Sequence, residues 1–311
     1  MSRALFLAKE NVGISGSRGQ FVDDCPLTHR LVYCLSMRLA WLTDIHLNFL
    51  SDGEVERSLS ELAVSEADAF LITGDIGEAD TVVEYLRRLT DSLGRTVYFV
   101  LGNHDYYRGS IEGVRQEMLQ LTLQEPSLIY LPQVGIQQLT PSTCLIGHDG
   151  WPDGRNGDFE ASPVLLNDFL LIRDFRRPNT SVSRFDSEVK YFWLSIMQQL
   201  ADEAAASIDR LLTHALEQYQ RVLVATHVPP FREAAWYAGR VSHDHFQPFF
   251  SSKVMGEILS KHAENSPDNE ITVLCGHTHG GGEFQARSNL KVLTGNTEYG
   301  HPEIQRVLTI E

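Results

Sequence analysis

The sequence predicts an α/β fold that begins at Met37. Two observations predict it: short apolar runs alternate with amphipathic segments in the order strand, helix, strand, helix, and the amphipathic segments open on helix-capping residues. A third feature sets the chain apart from an ordinary α/β domain. Five of its apolar runs end in Asp, Asn or His, where a turn would more often carry Gly, Pro or Ser alone.

The elements follow in order. Residues 38–43 form an apolar run that ends at Asp44. Ser51 and Glu54 make a capping box ahead of a helix whose Val55, Leu59 and Leu62 share one face. Residues 69–73 are a second short strand. Thr81 and Glu84 make another capping pattern, and Val82, Leu86, Leu89 and Leu93 recur at helical spacing behind it. Residues 96–101 are a third strand, and Ser110 caps a helix carrying Ile111, Val114, Met118 and Leu121. Farther along, residues 136–139, 143–147, 221–226, 271–275, 290–293 and 307–310 read as strands. Residues 186–220 read as a long helical region, continuous or broken. No internal repeat, low-complexity tract or linker follows residue 37, so residues 37–311 are expected to be one domain. Residues 1–36 lack periodicity and are expected to be a poorly ordered extension, the alternative being an added strand or helix on the domain edge.

Composition bounds the function. The 311 residues are 42% hydrophobic and 22% charged, ordinary for a globular enzyme. The net charge of −15 weighs against nucleic acid and anionic membranes, which call for a basic surface, although carboxylates that bind cations count in that total. No apolar run reaches the roughly 18 residues of a membrane span, and the N-terminus lacks the continuous apolar core of a secretory signal. Cys25, Cys34, Cys144 and Cys275 are scattered and form no CxxC pair, so reduced thiols and a cytoplasmic location are expected.

The chemistry lies in five motifs: Asp44-Ile-His46, Gly74-Asp75, Gly102-Asn-His-Asp105, Thr226-His227 and Gly276-His-Thr-His279. Each follows a strand-like run, and a loop beyond the carboxyl end of a strand is where α/β sheets present their ligands. Alone, a Gly-Asp pair is a turn and an HxH is weak. As an ordered set they point to a metal site. Oxygen and imidazole ligands without thiolate suit Mn, Fe, Zn or Co better than an all-oxygen Mg or Ca cage. In an extended segment residues i and i+2 point the same way, so Asp44 with His46, and His277 with His279, are expected to converge.

The ordered set DxH, GD, GNHD, H, GHxH resembles the calcineurin-like metallophosphoesterase family from Met37 to about Pro302. The resemblance implies a four-layer α/β/β/α sandwich of two packed mixed sheets. It implies that Asp44, His46, Asp75 and His279 hold one divalent ion and that Asp75, Asn103, His227 and His277 hold another, with Asp75 between them. It also implies that His104 is the catalytic histidine and Asp105 the acid that orients it. The expected enzyme is a metal-dependent phosphoric ester hydrolase, a phosphodiesterase or phosphatase with two Mn, Fe or Zn ions. Two metals about 3.5–4 Å apart clamp phosphate oxygens and generate a bridging hydroxide that attacks phosphorus. His104 would protonate the leaving oxygen.

Outside the motifs, Arg108 and His148 are candidate substrate-binding residues, with a solvated arginine and a structural turn as their alternatives. Trp151, His243 and His245 are weaker candidates. Residues 150–215 are a candidate cap. The acidic balance and the lack of a basic, aromatic-laced stretch weigh against a nuclease, and no regulatory-partner features of a protein phosphatase are readable, so a small-molecule phosphate ester is favoured. The complete ligand set argues against a non-catalytic scaffold.

Overall fold

The structure is a computed structural model that describes residues 36–176 and 187–311. The expected extension therefore lies, but for Ser36, outside the described residues, as do residues 177–186 of the expected cap.

Strands β1 (Met37–Leu42), β2 (Ala69–Thr73), β3 (Thr96–Val100) and β4 (Leu128–Tyr130) lie parallel in one sheet. The last strand of the chain, β13 (Arg306–Ile310), closes this sheet antiparallel to β1, giving the order β13-β1-β2-β3-β4. The second sheet takes β5 (Gln137–Gln138), β6 (Thr143–Gly147), β7 (Arg221–Ala225), β10 (Glu270–Cys275), β11 (Gly282–Arg287) and β12 (Leu290–Thr294) in the order β11-β12-β10-β7-β6-β5. Its central strands β6, β7, β10 and β12 are parallel, and its two edge strands are antiparallel. A hairpin of β8 (Trp236–Tyr237) and β9 (Arg240–Val241) belongs to neither sheet ladder and is joined by a single antiparallel bridge from Trp236 to Gly280, just ahead of β11.

The period-two alternation of the strands builds the layers. Leu39 and Trp41 of β1 and Ala69 and Leu71 of β2 pack with Leu145, Leu223, Leu274 and Leu293, joining the inner faces of the two sheets. Their neighbours Ala40, Leu42, Phe70 and Ile72 face the other way, against helices α1 (Asp52–Ala63), α2 (Val82–Leu93) and α3 (Ile111–Gln124). On the second sheet, Cys144, Ile146, Val222, Val224 and Val273 meet Ile208 and Leu212 of α6 (Ser187–Gln218) and Met255 and Leu259 of α8 (Lys253–Asn265). The result is the expected four-layer α/β/β/α sandwich.

Local signals differ in how they are used. The Ser51–Glu54 capping box forms in full, and Ser110 Oγ accepts from Gly113 N. The Thr81–Glu84 box does not form. The Thr81 hydroxyl turns back to bond the backbone N–H and C=O of Glu78, and Glu84 pairs with Arg88. The long helical region is the single helix α6. From the end of β6 to residue 176 the chain runs as loops with two short turns, α5 (Asp168–Leu171) and a 3-10 turn at Arg173–Phe175. Phe159, Phe169 and Phe175 anchor this segment against Trp193 of α6 and Phe249 in the short helix α7 (Gln247–Phe250). Cys144 and Cys275 are buried free thiols, and burial pushes both up to about 12. Among the described residues no helix is long and apolar enough to cross a membrane.

Candidate metal centre

Asp44 and His46 follow β1, Asp75 follows β2, Asn103 and His104 follow β3, His227 follows β7, and His277 and His279 follow β10. Both sheets thus deliver ligands from the carboxyl ends of parallel strands, and the ligands meet where the two inner faces open. The backbone leaves each strand sharply. Asp44, His46, Asp75, His277 and His279 all have positive φ, between 41° and 72°. The DxH and HxH pairs therefore converge through left-handed turns and not, as the spacing suggested, through the alternation of an extended segment. Non-glycine residues in this conformation carry strain that the surrounding bonds must hold, a pattern concentrated at functional sites. Here Asp44 N donates to Gly74 O and His46 N to Asp75 O, and the Asp44 carboxylate accepts His277 N. The motif glycines have a steric origin. A Cβ at Gly102 would overlap the Asp75 carboxylate, and one at Gly276 would overlap the Asp44 carboxylate and the Thr43 hydroxyl.

The side chains form two groups joined at Asp75. In the first, His46 Nε2 lies 3.2 Å from His279 Nε2 and 3.6 Å from Asp75 Oδ2, and His279 Nε2 lies 3.5 Å from Asp44 Oδ1. The ligand atoms of these four residues all lie within 4.8 Å of one another. In the second, Asn103 Oδ1 lies 3.1 Å from His227 Nε2 and 2.9 Å from His277 Nδ1, which are 3.2 Å apart. His227 Nε2 also lies 3.5 Å from Asp75 Oδ1. One oxygen of Asp75 thus faces each group.

The protons show what these groups fit. His227 Nδ1 is 2.8 Å from Thr73 O and His277 Nε2 is 2.8 Å from Phe249 O, and a carbonyl oxygen only accepts, so both of these nitrogens carry hydrogen. The two nitrogens that face each other across Asn103 Oδ1 therefore bear lone pairs. Three acceptors converge with no proton among them, an arrangement that fits a cation and little else. The carbonyl partners fix tautomer and ring plane, as outer partners of histidine ligands do. Burial lowers His227, His277 and His46 and brings His279 to about 4, so all four imidazoles are neutral and ready to bind a metal. Burial likewise raises Asp44 to about 7 and Asp75 well above its ordinary range, the cost of carboxylates held without counter-charge.

A pH dependence follows. A carboxylate raised from 3.8 to about 7, as Asp44 is, keeps its proton in the folded chain where the unfolded chain has lost it, so metal-free stability falls as pH rises through that window. A cation that takes the ionised form should reverse this. The rise in melting temperature on adding Mn²⁺ should therefore grow from pH 5 to pH 7.5. A shift that shrinks over that range in thermal melts contradicts it.

The other expected residues separate. His104 lines the cavity beside the metal groups, its ring stacked on Tyr107 at 4.3 Å and edge-on to His46 at 4.7 Å. Burial lowers it to about 3, and its Nδ1 is buried without a hydrogen-bond partner. Asp105 does not orient it. The Asp105 carboxylate is fully buried and accepts the backbone N–H groups of Gly102, Asp75, Ile76 and Gly77, which fill its acceptor sites. Asp105 instead ties the loop after β3 to the loop after β2. Arg108, read as a phosphate contact, is not among the cavity-lining residues; it pairs with Glu78. His148, the other substrate candidate, is also absent from the lining. It is buried in the turn after β6, where its Nδ1 accepts Gly150 N. Trp151 is core, between Tyr106 and Phe175, and His243 and His245 are exposed.

The cavity measures about 550 Å³, and its walls include residues the motifs do not announce: Tyr107, Asp168, Tyr237, Phe250, Glu298 and Tyr299. Tyr299 lies 4.6–4.7 Å from the rings of His46, Phe49 and His279. Phe250 lies 5.6 Å from His277. The expected cap contributes Leu166, Asn167 and Asp168. Tyr107 sits two residues beyond Asp105, the end of its motif, the one signal that could have found it. The others come from segments without pattern.

The calcineurin-like phosphoesterase family model matches residues 37–281. The chain belongs to the calcineurin-like phosphoesterases, a family of metal-dependent phosphoric ester hydrolases. Two solved structures share the fold. A phosphopantetheinyl hydrolase from Mycobacterium tuberculosis superposes with TM-score 0.58 at 14% identity, over 86% of this chain and 91% of that one. A dimetal phosphatase from Danio rerio superposes with TM-score 0.53 at 12% identity, over 86% and 88%. In sequence, a Danio rerio transmembrane protein with a metallophosphoesterase domain is 35% identical over 83 residues, which is 25% of this chain and 18% of that protein. The alignment thus spans under a fifth of that relative. In this phosphoesterase chain Asp44, His46, Asp75 and His279 form a group that could hold a metal ion.

Proposed function

We propose that this phosphoesterase hydrolyses a small-molecule phosphate ester with two divalent cations, Mn, Fe or Zn, of which manganese is the first to test. The observation that carries the reading is Asp75, one oxygen toward the His46–His279 group and the other toward His227. Asp44, His46, Asp75 and His279 would hold one cation, and Asp75, Asn103, His227 and His277 the other. Cations so held polarise phosphate oxygens and lower the pKa of water. The chain supplies the rest. The aromatic walls shield one face of the ester from water. His104, which belongs to neither ligand group, would give a proton to the leaving oxygen once an anionic ester beside it favours the imidazolium. A cavity of about 550 Å³ suits a small ester, and the net charge of −15 disfavours polynucleotides.

Metal-stripped protein should hydrolyse bis-p-nitrophenyl phosphate, p-nitrophenyl phosphate or a cyclic nucleotide (2′,3′ or 3′,5′) only after Mn²⁺, Fe²⁺ or Zn²⁺ is added. Absence of turnover on the whole panel with every metal would favour a scaffold role, and turnover confined to DNA, RNA or phosphoproteins would favour a nuclease or protein phosphatase.

We also propose that residues 1–36 are dispensable for the reaction. Every candidate ligand lies beyond them, and β1 and the family match both begin at Met37. A chain starting at Met37 should take up the same amount of metal and turn over at the same rate. An insoluble or metal-free product would show that the segment is structural.

A further inference from the structure

The carbonyl oxygen of Asn103 faces His227 and His277, and its amide nitrogen faces away from them. Nothing in the histidine pair enforces this. Both facing nitrogens bear lone pairs, so without a cation an amide turned by half a revolution would donate to them and satisfy them. The orientation is held from the other side. Asn103 Nδ2 donates to Asp168 Oδ1 at 2.9 Å and reaches the Tyr107 hydroxyl at 3.3 Å, and that hydroxyl in turn donates to Asp168 Oδ1 at 2.7 Å. Asp168 is 3% exposed, lies in the segment between β6 and α6, and belongs to none of the five motifs. Tyr107 is also the ring on which His104 stacks.

We propose that Asp168 is a positioning residue for the second cation site. Its carboxylate selects the amide rotamer of Asn103 that offers oxygen to a metal, and through Tyr107 it fixes the platform under His104. An acceptor at position 168 is what the amide requires, and a donor or an apolar group there releases it to turn toward the histidines. The segment between β6 and α6 thereby reaches the metal site through one carboxylate, so the presence of the second cation depends on a residue outside the ligand motifs.

The inference rests on the two-cation reading, and its test measures binding and not turnover. Metal-stripped full-length protein is titrated with MnCl₂ in a calorimeter, and bound metal is counted after dialysis. Asp168→Leu, similar in size and unable to accept, should keep one ion at wild-type affinity and bind the other about 10–100-fold more weakly, the range for losing an outer partner of a ligand. Asp168→Asn, which still offers an oxygen to Asn103 and Tyr107, should restore most of that affinity. Tyr107→Phe, which removes one of the two bonds and keeps the ring, should fall between. If Asp168→Leu is insoluble, the comparison of Asp168→Asn, Tyr107→Phe and wild type decides, because Tyr107→Phe with unchanged binding at both sites overturns the proposal. Two ions bound by Asp168→Leu at wild-type affinities also overturn it. So does an equal weakening of both sites with a lower melting temperature of the metal-free protein, which is the signature of general loosening. A wild-type chain that binds fewer than two ions defeats the two-cation reading itself, a result distinct from any of these.

Discussion

Asp75→Asn is expected to fold, to retain neither cation firmly, and to lose turnover by far more than the about 100-fold typical of an outer-partner mutation. The substitution is nearly isosteric. Asn can still accept the His104 backbone N–H, which Asp75 Oδ1 now takes at 2.9 Å, so the loop after β3 should stay in place. What disappears is the negative charge shared by the two groups. Each group then offers fewer anionic oxygens to a dication, and the first keeps only Asp44. Metal analysis after dialysis, beside a circular dichroism spectrum, checks both halves of the expectation. A folded Asp75→Asn protein with two tightly held ions would mean that Asp75 is not shared.

His104→Asn should do the opposite, keeping both cations and losing rate. His104 lies in the cavity beside the ligands but within neither group. The loss in kcat should be about 10²–10⁴-fold on an unactivated ester, the usual contribution of general acid catalysis. It should be much smaller on a p-nitrophenyl ester, whose leaving group departs with little need of a proton. Loss of metal in this variant would contradict the assignment. Full activity on unactivated esters would move the proton donor to water or to another cavity residue, with Tyr299 the next to test, since His148 is buried in a turn and His243 is exposed.

The parts of this molecule that sequence conveys are those governed by short spacings. The helices with Val55, Leu59 and Leu62 or Val82, Leu86 and Leu89 follow helical periodicity, and the parallel strands are unbroken apolar runs, so the layers were legible. The ligand loops were legible because each carries its residues next to a strand end. Roles that depend on contacts across the fold were not. Asp105 sits beside His104 in sequence, yet its carboxylate turns away to gather four backbone N–H groups from two loops. Arg108 directly follows the Asp105 motif and His148 ends a strand run, but each is claimed by a nearer partner, Glu78 and Gly150. Asp168 and Tyr299 lie 65 and 196 residues from Asn103, in segments with no periodicity, and only folding brings them to the cavity. The left-handed backbone at Asp44, His46, Asp75, His277 and His279 was equally hidden, since nothing in those residue types requires it.

Two cations flanking Asp75 are the centre of the proposed site. Crystals of the full chain grown with MnCl₂, with data collected at the manganese absorption edge, test this most directly. Two anomalous peaks are predicted, one bounded by Asp44, His46, Asp75 and His279 and the other by Asp75, Asn103, His227 and His277. A single peak, or peaks at other residues with these side chains unligated, would contradict it.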